Sequence, residues 1–117
     1  MLELPAALGF LRSDVSGTHQ QWDEIQIRSL AKRLGYDLRK TVVFNATTDR
    51  PVQRLCTLLV ALGVDALIVP SAAHFEGEEV PADLVTVANI CTVKPESTFP
   101  RRGDPPDPPR SDAQQRL

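Results

Sequence analysis

Residues 7–17 read Ala7-Leu8-Gly9-Phe10-Leu11-Arg12-Ser13-Asp14-Val15-Ser16-Gly17. An apolar run, Ala7 to Leu11, ends abruptly in an arginine, two serines and an aspartate. Such a run reads as a first strand, and a polar cluster at a strand end is where α/β proteins place chemistry. The residues beyond Gly17 set the architecture. Thr18 with Gln21 three residues on forms a candidate capping box, and Ile27, Leu30, Ala31 and Leu34 recur at helical spacing. Lys32 and Arg33 precede Gly35, a basic last turn and a glycine stop. The spacing therefore predicts strand, loop, helix.

The same alternation continues. Thr41 to Phe44 is a β-branched and aromatic run and predicts a second strand; Asn45 to Asp49 make a polar turn. Asp49 is placed to cap a second helix with Pro51 in its first turn, and Val52, Leu55, Cys56, Leu59 and Leu62 form one stripe before Gly63. Ala66 to Val69 is a continuous apolar run, the pattern of a strand covered on both faces. After a loop from Pro70 to Glu79, Pro81 opens a third helix of two to three turns, and Ile90 to Val93 gives a last strand. Strands alternating with helices predict an α/β fold of three layers, α/β/α, around a mostly parallel sheet of four to five strands.

In such a sheet the strand ends that precede helices share one edge. Four loops meet there. They carry Arg12, Ser13, Asp14 and Ser16; Asn45, Thr47, Thr48, Asp49 and Arg50; Ser71, His74, Glu76 and Gly77; Lys94 and Glu96.

Composition bounds what these loops act upon. The 117 residues carry a net charge of −2, and residues 1–98 hold 9 Lys and Arg against 12 Asp and Glu. A protein that holds duplex DNA unaided presents a basic face, and no such excess exists here. Five of the ten prolines lie between Pro100 and Pro109 among mixed charges and few apolar residues. That composition reads as a Pro-rich disordered tail over 98–117, leaving 1–97 as the folded domain. Cys56 and Cys91 both sit in apolar runs without a CxxC pair, so free buried thiols are expected, with no metal and no cofactor. No leader pattern and no apolar run of membrane-spanning length is seen, so the expected location is the cytoplasm, away from membranes.

Arg12 and Arg50 are each able to fork onto a phosphate, and Arg50 has the N–H groups of a helix start beside it. The alternative is a local pairing, Arg12 with Asp14 and Arg50 with Asp49. Ser13 and Ser16 are candidate nucleophiles if a base adjoins them. His74 is a candidate acid or base, or else a solvated or structural histidine, since no partner that would orient it is evident. No Gly-rich loop predicts a nucleotide. Trp22 and Ile25 fall on the side of their helix away from Ile27 and Leu30, which marks a partner surface unless a loop or the tail covers them.

These stretches together resemble a family. The segment "ALGFLRSDVSG" looks like the first strand and nucleophile loop of the serine recombinases, the resolvase and invertase group; "IRSLAKRLGYDL" is similar to their first helix and its exit. The stretch "TDRPVQRLCTLLVALGVDALIVPSAAHFEG" resembles their Asp-Arg-Pro turn, second helix, third strand and following loop. The likeness spans about residues 7–93 and implies a resolvase-like fold and a role related to site-specific DNA recombination.

Carried over position by position, Arg12 and Arg50 stand where the family's arginines contact the scissile phosphate. Asp14 stands at the nucleophile position in the ungapped match; a two-residue insertion would place Ser16 there instead, and Ser13 is one residue early. His74 and Gly77 stand where two further arginines belong. Clustered arginines stabilise the phosphoryl transition state, and losing one such donor costs about 2.7–4 kcal/mol. The resemblance therefore implies a member that no longer cuts DNA and acts as a binding or regulatory module on DNA, another phosphate-bearing ligand, a protein partner or a second copy. The alternative is an active recombinase that forms a phosphoserine link, with targeting supplied by a partner; the long helix and DNA-reading module that family members carry beyond this domain are expected to be missing.

Overall fold

The computed structural model describes residues 3–102. Strand β1 spans Ala6–Arg12 and runs directly into a single helical turn, α1, Ser13–Ser16. A 3-10 turn over Gly17–His19 leads into α2, Gln20–Leu34. Beyond it come β2 (Asp37–Phe44), α3 (Pro51–Leu62), β3 (Ala66–Val69), the one-turn α4 (Ala82–Val85), β4 (Asn89–Thr92) and β5 (Ser97–Phe99). The five strands form one sheet in the order β2-β1-β3-β4-β5, all parallel except for the antiparallel pairing of β5 with β4. The protein is thus α/β with a five-stranded, mostly parallel sheet.

Side-chain alternation along β1 and β3 divides the core. Ala6, Leu8 and Phe10 of β1, with Leu67 and Val69 of β3, face Leu55 and Leu59 of α3 and Leu84 and Val85 of α4. Ala7 and Leu11, with Ala66 and Ile68, face Ile27, Leu30 and Ala31 of α2. Both central strands are therefore packed on both faces, as their apolar runs require. Each fully buried leucine in these layers contributes about 1.5–3 kcal/mol.

Gly9 of β1 has a steric role. A Cβ there would lie 2.6 Å from Thr41 Oγ1 and 2.9 Å from Ile27 Cγ2, so only glycine lets α2 approach the sheet this closely. Gly35 closes α2 in the left-handed region, φ 82°, and the Tyr36 N–H donates to the Ala31 carbonyl at 2.8 Å.

Several expectations are corrected. The box of Thr18 and Gln21 does not form: α2 begins at Gln20 behind the 3-10 turn, with no side-chain cap. Asp49 does not cap α3, because Arg50 holds the N-cap position in the left-handed region, φ 48°. Leu62, at the end of the expected α3 stripe, is exposed. Strand β2 starts four residues earlier than predicted, at Asp37; as an edge strand it is half-wetted, so Arg39 and Lys40 fit within it. The third helix has one turn rather than two or three.

The boundary at 97/98 also moves. Ser97–Phe99 pair with β4, the Arg101 N–H donates to Asn89 Oδ1 at 2.7 Å, and the Arg102 N–H donates to the Val85 carbonyl at 2.9 Å. The remainder of the expected Pro-rich tail, 103–117, lies outside the described residues. Among the described residues no helix is long and apolar enough to cross a membrane. Cys91 is buried and Cys56 half-buried; burial pushes both thiols up, away from reactivity.

Candidate functional site at the carboxyl ends of the strands

In the order β2-β1-β3-β4-β5, the chain reverses its direction of sheet building between β1 and β3, and this is where an open α/β sheet leaves a crevice. The two loops flanking the crevice are joined by one bond. The backbone N–H of Arg12, the last residue of β1, donates to Nδ1 of His74 at 2.9 Å. His74 is 3% exposed and sits in the 3-10 turn Ala72–His74 after β3, where Ser71 Oγ accepts from the Ala73 N–H. It is therefore a buried histidine with an orienting partner, which corrects the solvated alternative and the expectation that no such partner is present.

That bond sets the protonation of the ring. An imidazolium has no acceptor, so the Arg12 N–H requires neutral His74 with its proton on Nε2. Burial pushes the His74 pKa below its ordinary value; Asp23 opposes this, the Arg12 charge adds to it, and Asp14 opposes it.

The polar cluster after β1 pairs internally. Arg12 Nε donates to Asp14 Oδ1 at 3.1 Å, and Arg12 Nη2 donates to Asp14 Oδ2. This fork holds the Asp14 carboxyl below the usual carboxylate range. Ser16 is buried, and its hydroxyl donates to Asp23 Oδ2 at 2.6 Å. Ser13 opens α1 and is half-buried. Of the two candidate nucleophiles, the one with a carboxylate beside it is the one shut away from solvent.

Arg12 and Arg50 are not gathered into one cavity. Arg12 lines a cavity of about 290 Å³ with Asn45, Thr48, His74 and Glu76 over a floor of Phe10, Leu55 and Phe75. Within that floor Phe10 stacks on Phe75 with ring centroids 5.6 Å apart. Arg50 lines a neighbouring depression with Asp49, Gln53 and Arg54, where Arg54 Nε donates to the Asp49 carbonyl at 2.7 Å. The loop after β2 is otherwise self-satisfied: Asn45 Oδ1 accepts from the Thr47 N–H and hydroxyl, and Thr48 Oγ1 accepts from the Asn45 N–H. Gly77 takes a positive φ in an exposed turn.

On the other side of His74 lies a third depression, bounded by Val15, Trp22, Asp23, Gln26, Ser71 and Lys94. Trp22 is 58% exposed there, and Ile25 is exposed on the next turn of α2, as their position off the buried stripe predicts. Among the described residues no loop covers Trp22.

Sequence reasoning missed Asp23. It lies in the first turn of α2, accepts the Ser16 hydroxyl and lends its charge to the field at His74, and neither residue stands at a spacing that would signal this. Compared with protein-family models, curated proteins and solved structures, the chain matches none.

Proposed function

We propose that this chain is a resolvase-like domain, its sheet enclosed in a three-layer α/β/α arrangement, that has lost strand cutting and serves as a cytoplasmic binding module. The observation that carries this reading is the Arg12–Asp14 fork. Phosphoryl transfer depends on cations free to receive charge that develops on the phosphoryl oxygens. Here the guanidinium that the resemblance places on the scissile phosphate is filled by a carboxylate, and the ungapped match puts that carboxylate at the nucleophile position.

The rest of the edge supports the same reading. The Ser16 hydroxyl is buried and donated to Asp23. Arg50 faces a different depression from Arg12. His74, at a position where the family has an arginine, is neutral and bonded to backbone. An edge built this way offers shape and hydrogen bonds in place of concentrated positive charge, which suits binding without chemistry.

Binding of a labelled DNA duplex at low salt tests the role of the fork. Asp14→Ala frees the Arg12 guanidinium, so the duplex is expected to bind more tightly than to the unaltered protein, and the gain is expected to vanish in the Asp14→Ala, Arg12→Ala double variant. Equal affinity in all three proteins would remove the fork as the element that silences the site.

A further inference from the structure

The depression on the α2 side of His74 has the size and chemistry of a small-molecule site. Its volume is about 630 Å³, bounded by Val15, Trp22, Asp23 and Gln26 from the β1 side and by Pro70, Ser71, His74, Val93 and Lys94 from the loops after β3 and β4. Pockets of roughly 300–1,000 Å³ at the reversal point of an open α/β sheet are where such proteins hold ligands.

Four groups there are left with bonding capacity. His74 is only 3% exposed, its Nδ1 is taken by the Arg12 N–H, and its Nε2–H finds no acceptor among the described residues. A buried donor without a partner calls for an explanation, and a ligand atom supplies one. Lys94 is exposed and forms no ion pair among the described residues. Asp23 receives the Ser16 hydroxyl on Oδ2, leaving Oδ1 unpaired among the described residues. Trp22 offers an exposed indole beside Val15, Pro70 and Val93.

We propose that this depression binds a small planar aromatic acid that also carries an N–H donor. The acid group sits on His74 Nε2–H and the Lys94 ammonium, the ring lies against Trp22, and the donor reaches Asp23. The ammonium and the carboxylate cancel, so the depression carries no net charge: a singly charged acid group pairs with Lys94, whereas a phosphate dianion would meet more repulsion from Asp23 than one ammonium offsets. The inference deepens the binding-module reading by naming a ligand class. It does not depend on kinship with recombinases.

Para-aminobenzoate, titrated into the full chain and followed by calorimetry, is the test. Trp22 is the only tryptophan in the chain, so its fluorescence reports contact at this site alone. Saturable binding with quenching of Trp22 is expected. Benzoate, which lacks the amine, and aniline, which lacks the acid, are each expected to bind at least about tenfold more weakly.

Lys94→Gln and Trp22→Ala change exposed side chains, so both are expected to fold, and each is expected to weaken para-aminobenzoate by a similar factor. No saturation with para-aminobenzoate, or affinity unchanged by both substitutions, would overturn the assignment. That failure would leave the duplex comparison of Asp14→Ala unaffected, so the two readings fall separately.

Discussion

The backbone N–H of Arg12 and the Nδ1 of His74, 62 residues apart in the chain, are joined at 2.9 Å across the crevice between β1 and β3. Because the acceptor is an imidazole, the fit between the two loops depends on proton concentration.

Its sign is set by the direction of the His74 shift. An unfolded chain protonates this histidine near its ordinary value of about 6.5, while burial delays protonation of the folded chain to lower pH. Between the two values the unfolded state binds more protons, so stability is lost as pH falls below about 6.5 and this contribution is flat above it. Asp14 acts in a separate window: its lowered pKa gives stability that is present above the usual carboxylate range and lost only in stronger acid. Urea midpoints measured from about pH 7 to about pH 5 are expected to fall in the unaltered protein and to fall less in His74→Asn, which offers a side-chain oxygen to the Arg12 N–H and does not titrate. Parallel profiles in the two proteins would contradict the assignment.

Gly9 has no room for a side chain between Thr41 and Ile27. Gly9→Ala is expected to destabilise by about 1–3 kcal/mol, because α2 or β2 must shift to admit the methyl group. Thermal or urea unfolding measures this directly. Recovery of part of the loss in Gly9→Ala, Thr41→Ala would identify the Thr41 side chain as the obstacle, since that is the nearest atom.

The Ser16 hydroxyl holds Asp23 and so ties α1 to the first turn of α2. Ser16→Ala is expected to cost about 1–3 kcal/mol of stability, because a partly buried carboxylate oxygen loses its donor. A nucleophile's loss would instead leave stability nearly unchanged and remove a chemical product. Unfolding of this variant distinguishes the two roles.

Where apolar pattern alone decides structure, the sequence was readable. Ala66–Val69 has the predicted limits because all four residues are buried on both faces, and α2 ends at Gly35 because only a residue at ease with positive φ closes that helix. Edge elements were not readable in the same way. Asp37 to Lys40 lie in a strand whose outer side is wet, and Ser97–Phe99 are exposed, so neither shows the burial pattern that marks a strand.

The loops of the candidate edge lie together at the carboxyl ends of the strands, but their internal pairing was legible only for Arg12 and Asp14, two residues apart. The bond from Arg12 to His74 depends on the meeting of separate loops, and that from Ser16 to Asp23 on the 3-10 turn that folds α1 back onto α2. Arg50 was expected beside Arg12; the left-handed backbone at Arg50 accompanies its placement in a depression with Arg54 instead.

Covalent trapping on a nicked suicide duplex, resolved on a denaturing gel, probes the proposed absence of strand cutting directly. With Arg12 held by Asp14 and Ser16 enclosed beside Asp23, no protein–DNA adduct is expected at any salt concentration. An adduct formed by the unaltered protein and lost in Ser16→Ala or Ser13→Ala would contradict this reading and establish the alternative of an active recombinase.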